Sequence, residues 1–317
     1  MMNAKMNEDQ WIKQLTAEAP TGPEVIAGIG EDCAVLDVGL PDRWQLLKTD
    51  VVVEGVHFDS SIPAQQVGRK ALARALSDFA AMSGVPQHVL VTLLTPKPIP
   101  WTWIQEAYAG LYTLARAYGL RVVGGETSQT PKALTLSITL SGYVEKDRCV
   151  FRKGAQPGDG LFVTGELGGS LDGKHLEFEP RIEQARWLTA HFPVRAMIDL
   201  SDGLATDLRR LLHASQVGAE LLKEAIPIAR AAKVRYREGR SPKPPLEAAM
   251  TDGEDFELLF AIPPGYAVAL VDQWKAAFPE IRLSCIGKIV AQPTVTIRSR
   301  KTVRPLNLHG YDHLQNT

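Results

Sequence analysis

Residues 196–208 read AMIDLSDGLATDL, and their reading decides the architecture of the second half of the chain. Residues 196–200 form an apolar run of strand length. Leu204, Leu208, Leu211 and Leu212 then recur at i, i+4, i+7 and i+8, the stripe of a helix packed on one side. A strand is therefore expected to pass into a helix across Ser201, Asp202 and Gly203, as in α/β or α+β layers. Three acids, Asp199, Asp202 and Asp207, stand in this apolar setting. Burying an unpaired carboxylate costs several kcal/mol, so a helix cap, a basic partner or a metal ion must compensate it.

The same alternation of strand and helix runs through the rest of the 317 residues. The segment around Trp11, Ile12 and Leu15 has helical spacing, CAVLDV and WQLLKTDVVVEGVHF read as strands, and residues 64–83 as a helix stopped by Gly84 and Pro86. HVLVTLLT, LRVVGG and ALTLSITLSGYV read as strands, with a helix over residues 101–118. A polar, Gly- and Pro-punctuated stretch, EKDRCVFRKGAQPGDG, follows Val144 and places a domain boundary near residue 148. The second half restarts with the strand LFVTG, a helix over 181–191 and the strand RAMIDL. A helix from about Asp202 to Ala214 follows, then the strands DFELLFAI and LSCIGKIV with a helix between them. REGRSPKPPLE reads as an exposed connection.

A hydrophobic content of 45% suits a globular protein with two cores, and a net charge of −1 offers no electrostatic footprint for nucleic acid or an anionic membrane. Small anionic substrates must then be held by local groups or metal ions. Three cysteines without a C-x-x-C pair suggest neither a zinc site nor a disulfide framework. With no apolar leader or membrane-length run, the expected setting is the cytoplasm. GGSLDGKH at residues 168–175 fits G-x-x-x-x-G-K after a strand. His175 stands where a phosphate loop needs Ser or Thr, and the segment reads as a glycine-rich turn.

The informative pattern is a set of acids in apolar or glycine-rich windows: Asp32 in GIGEDCAVL, Asp50 in LLKTDVVVEGVHF, Asp78 in ARALSDFAAM, Glu126 in RVVGGETS, and Asp199 with Asp202 in IDLSDGL. Singly each has a local explanation. Asp202 or Ser201 caps a helix, Asp78 pairs with Arg74 at i−4, and Glu126 sits in a turn. Together they point to oxygen ligands for Mg²⁺ at a phosphate site, since Mg²⁺ takes one or two carboxylates plus substrate phosphates.

Eight segments in register, GIGEDCAV, TDVVVEGVHF, ALSDFAAMSGVP, VVGGETS, FRKGAQPGD, IDLSDGLATDL, TDGEDFELLF and GYDHL, make the chain resemble the thiamine-monophosphate kinases. These belong to the superfamily of aminoimidazole ribonucleotide synthetase and selenophosphate synthetase. The resemblance implies an α/β (α+β) fold of two domains: residues 1–148 for ATP and metal binding and dimerisation, residues 149–317 completing the ATP and substrate site. It implies a homodimer, several Mg²⁺ ions, ATP as co-substrate and thiamine monophosphate as acceptor, with thiamine diphosphate as product. Matching positions carry the metal ligands to Asp32, Asp50, Asp78, Glu126, Asp199 and Asp202. ATP contacts fall on Thr49, Gly125, Glu126, Arg152 and Ser201, substrate contacts on His57, Glu254 and Tyr311, and the phosphoryl-transfer roles on Asp202 and Arg152.

Three positions depart from the family pattern. Glu126 stands for the usual Asp, Lys48 for a small hydroxyl residue before Thr49-Asp50, and Asp252 for the glycine before Gly253. Asp252 either attracts the thiazolium cation or faces water, and the second is the expectation adopted. Two other functions compete: a superfamily relative phosphorylating another small metabolite, and a weakened nucleotide-binding regulator. Asp207 has no assignment and reads as a solvated or paired acid.

Overall fold

The structure, a computed structural model, describes residues 8–96, 98–300 and 302–311. Most of the GYDHL motif lies outside the described residues. The first half comprises α1 (Glu8–Leu15), β1 (Val25–Ala27), β2 (Ala34–Leu36), β3 (Arg43–Val53) and α2 (Ala64–Ala81). β4 (Val85–Thr95), α3 (Trp101–Ala117), β5 (Arg121–Gln129) and β6 (Thr135–Glu145) complete it. The second half begins with β7 (Gly160–Thr164), α4 (Lys174–Glu177), α5 (Ile182–His191), β8 (Ala196–Asp199), α6 (Leu204–Ser215) and β9 (Gly218–Leu222). It ends with α7 (Arg230–Arg237), α8 (Pro245–Thr251), β10 (Leu258–Ile262), α9 (Ala267–Ala277), β11 (Leu283–Val290), β12 (Val295–Ser299) and β13 (Thr302–Pro305).

Each half has its own sheet. The first has six strands in the order β1-β2-β3-β6-β4-β5, antiparallel except for the parallel β4–β5 pair. The second has seven in the order β13-β12-β9-β11-β7-β10-β8, antiparallel except for β12–β9. The expected helices and strands form, and the predicted stripe of α6 is buried at Leu204, Leu208, Leu211 and Leu212. α2 is buried almost all round. It packs on β3 and α3 of its own half and also on α5 and β8 of the second, so one core runs through both halves.

α2 and α3 cross at very short range. A Cβ on Gly68 would stand 1.8 Å from the Ala107 carbonyl oxygen, and one on Gly110 1.9 Å from that of Gln65. Gly68→Ala must push the helices apart, with an expected loss of about 1–3 kcal/mol. Urea unfolding of the variant measures it, and an unchanged midpoint would contradict this packing.

Candidate active site

The strand-to-helix turn after β8 is built by backbone pairing with a second loop. Leu200 N–H donates to the Glu257 carbonyl (2.8 Å), Phe256 N–H to that of Leu200 (2.9 Å), and Glu254 N–H to that of Ser201 (2.7 Å). Glu254 and Phe256 both take left-handed backbone angles (φ 52° and 49°), strain that is tolerated where a site needs the geometry. A Cβ on Gly253 would meet the Ser201 carbonyl at 2.8 Å, and one on Gly310 the Asp202 carbonyl at 2.0 Å. With Tyr311 N–H bonded to the Asp202 carbonyl (3.0 Å), three separate motifs therefore close on one turn.

Asp199, at the end of β8, meets the first half there. Asp32, Asp78 and Asp199 are buried, and one carboxylate oxygen from each lies within 4.8 Å of the others. Arg152 Nη2 stands 2.5 Å from Asp32 Oδ1, Lys48 Nζ 2.8 Å from Asp78 Oδ1, and Ser77 Oγ donates to Asp199 Oδ2 (2.7 Å). Asp32 Oδ2 is buried with no hydrogen-bond partner among the described residues. Burial, then the Asp199 and Asp50 charges, push the Asp78 carboxyl well above the ordinary range against the pull of Lys48. Burial and Asp32 push Asp199 up to about 6. Burial works against the charge on Lys48, yet Asp78 and Asp50 outweigh it and hold its pKa above the ordinary lysine value. Oxygen ligands this close, one of them orphaned, fit a hard divalent cation such as Mg²⁺.

The cluster opens into a cleft of about 1500 Å³ between the halves, walled by Thr49, Asp50, His57, Arg152, Ser201 and Asp202 among others. Asp50 faces Arg74 (3.4 Å) rather than the cluster, and Arg74 also holds Glu254 (2.9 Å). The sequence pairing of Asp78 with Arg74 is thus corrected: Asp78 takes Lys48 instead. Glu254 further accepts from Lys70 Nζ (2.7 Å), a lysine with no exposed surface, which also reaches the His57 carbonyl (2.6 Å). The expected phosphate ligand Arg152 is anchored on Asp32 and on the Gly30 carbonyl (3.0 Å).

Gly125 and Glu126 are not brought to this cleft within one chain. Both lie on the edge strand β5, three strands from β3, or about 14 Å at ordinary strand spacing. The register Val51↔Ser137, Ser137↔Thr92, Thr92↔Glu126 sets Glu126 on the sheet face opposite Asp50, because directly paired residues share a face. On that face Thr49, Val51, Leu90 and Thr139 are exposed and uncharged.

Asp207 is not solvated. It is buried, accepts the Asp202 N–H (2.9 Å) and pairs with Arg210 (3.0 Å), which also holds Asp202 (2.5 Å) and Asp9 (3.2 Å) of α1. Asp252 does not face water either: it pairs with Lys243 (3.1 Å) and accepts the Gly169 N–H (2.9 Å). The Gly168 N–H donates to Asp255 (2.9 Å), so the amides a phosphate loop would aim at a phosphate are taken by carboxylates. Lys70, Ser77 and Arg210 were not singled out from the sequence, and Arg74 was expected only as the partner of Asp78. A lysine inside an alanine-rich apolar helix was the one local signal for Lys70.

The fold and the acid-lined cleft define the aminoimidazole ribonucleotide synthetase class. The AIR synthase related N-terminal domain matches residues 30–144, and the corresponding C-terminal domain residues 162–299. The thiamine-monophosphate kinase of Rhodopirellula baltica is 40% identical over 292 residues, covering 90% of each chain. That of Haemophilus influenzae is 33% identical over 314 residues, covering 91% of this chain and 92% of its own. The solved structure of AaThiL complexed with AMPPCP and TMP superposes with a TM-score of 0.82 at 29% identity over 99% of both chains. The chain belongs to the thiamine-monophosphate kinase family.

Proposed function

We propose that the protein transfers the γ-phosphoryl group of ATP to thiamine monophosphate, giving thiamine diphosphate and ADP. The observation that carries this reading is the buried Asp32–Asp78–Asp199 cluster at the floor of a cleft large enough for two phosphorylated ligands. Relatives of that activity and a superposable complex with AMPPCP and TMP support it. The acceptor phosphate is already anionic at neutral pH, so no general base is required. Its oxygen bonds to the γ-phosphorus as the bond to the β,γ-bridging oxygen breaks, and ADP leaves with that electron pair. Catalysis is then alignment and charge neutralisation. Mg²⁺, held on the Asp32 and Asp199 side of the cluster with Asp50 and Asp202 on the cleft wall, would neutralise phosphate charge when bound.

In this reading Arg152 is fixed charge on the cleft wall, Thr49 and Ser201 meet ATP, and His57, Glu254 and Tyr311 meet the thiamine phosphate. Residues 1–148 and 149–317 are the two working halves, and the enzyme acts in the cytoplasm. The exposed, uncharged strip of Thr49, Val51, Leu90 and Thr139 on the first sheet supports a homodimer. Thr49 and Val51 belong both to that strip and to the cleft, so a partner seated there would carry its own Gly125 and Glu126 towards the cleft. Glu126→Asp is expected to keep wild-type turnover, whereas Glu126→Ala raises the Mg²⁺ concentration needed for half-maximal rate by on the order of 10–100-fold. Steady-state rates over a Mg²⁺ titration measure both, and an unaffected Glu126→Ala would remove Glu126 from the site.

ADP release with thiamine monophosphate, with other small phosphorylated acceptors and with none tests the proposal. Release that requires thiamine monophosphate is expected. Release with a different acceptor alone would favour the metabolite-kinase alternative, and absence of release a binding protein.

A further inference from the structure

The acid cluster already contains a cation of its own. Lys48 projects from β3 on the side that faces α2, and its Nζ stands 2.8 Å from Asp78 Oδ1 with the side chain largely buried. The other two acids are held differently. Asp32 shares one oxygen with Arg152 and leaves Oδ2 buried and unpartnered, while Asp199 forms no ion pair among the described residues and accepts from the Ser77 hydroxyl. The cluster is therefore asymmetric: one corner is closed by an ammonium, and the side towards Asp32 and Asp199 keeps ligand capacity.

We propose that Lys48 is a built-in counter-cation that takes the place of one divalent ion at the Asp78 corner of the cluster. A divalent ion on Asp78 Oδ1 and an ammonium 2.8 Å from the same oxygen would repel one another in a buried setting. The tethered ammonium carries half the charge of Mg²⁺ but is bound at any Mg²⁺ concentration. It neutralises Asp78, keeps that carboxylate oriented towards the cleft and reserves Asp32 and Asp199 for metal. Lys48 is thus a positioning residue, and its role rests on the metal-binding reading of the cleft given above.

The test counts ions rather than turnovers. Mn²⁺ binding to the full chain, with a non-hydrolysable ATP analogue present, is followed by calorimetry and by the electron spin resonance of free Mn²⁺. Lys48→Ser, and Lys48→Met as a variant that keeps the apolar stem, are compared with the wild type. Both variants are expected to bind one more Mn²⁺ per chain. Without metal they are expected to melt below the wild type and to recover on adding Mn²⁺, as an uncompensated Asp78 requires. Equal ion counts in variants and wild type would overturn the role of Lys48 and leave the kinase reading standing. Failure of Mn²⁺ to bind any of the three proteins would overturn both.

Discussion

Asp199→Asn is expected to lower turnover by on the order of 10³ while leaving the metal-free protein as stable as the wild type, or more so. The two effects have one cause. Asp199 is buried within 4.8 Å of oxygens from two other acids, an arrangement that repels itself in the absence of a cation and is useful only when one is bound. Asparagine keeps an oxygen to accept from the Ser77 hydroxyl, now 2.7 Å from Asp199 Oδ2, so packing is preserved while the charge is lost. Steady-state kinetics and thermal melting by circular dichroism read the two effects on one preparation. Turnover near the wild-type value would show that Asp199 is a structural acid, and a collapse of the fold would show that its negative charge is needed for folding.

Glu257 presents the opposite case, an acid kept for stability. It lies one residue past the strained Phe256 and is fully buried, with Arg181 at 2.8 Å through two nitrogens, Lys174 at 2.8 Å and the Thr164 hydroxyl at 2.7 Å. Burial alone would raise its pKa, but Lys174 and Arg181 outweigh burial and hold it lowered to about 2. A carboxyl whose folded pKa lies below its unfolded value stabilises the fold above the unfolded pKa, near 4.5, and loses that contribution as pH falls towards 2. Glu257→Ala leaves two cations facing an emptied buried site, and about 3–5 kcal/mol of stability should go with it. Denaturant unfolding at pH 7 measures the loss. Between pH 4.5 and 2 the variant should show a shallower fall in stability than the wild type, and parallel curves would contradict the ion-pair account.

These two acids also show what could be read from the sequence. The strand–turn–helix around Asp199 was legible because apolar spacing reports burial directly, as were α2 and α3. β9, β12 and β13 were not, because they are short and partly exposed, and little alternation marks their buried side. Acids at element ends stood out as a set, but their cations did not. Lys48 is 30 positions from Asp78, and Arg210 serves Asp202, Asp207 and Asp9 at once, so only the folded chain reveals the pairing. The position of Glu126 depends on strand order and register across β3, β6, β4 and β5, which no local pattern encodes.

Phosphorus NMR of a mixture of the protein, ATP and thiamine monophosphate, with and without Mg²⁺, tests the central claim most directly. The two phosphorus signals of thiamine diphosphate are expected to grow in step with those of ADP, only when Mg²⁺ is present, and without inorganic phosphate. ADP accompanied by inorganic phosphate, with thiamine monophosphate unchanged, would contradict it.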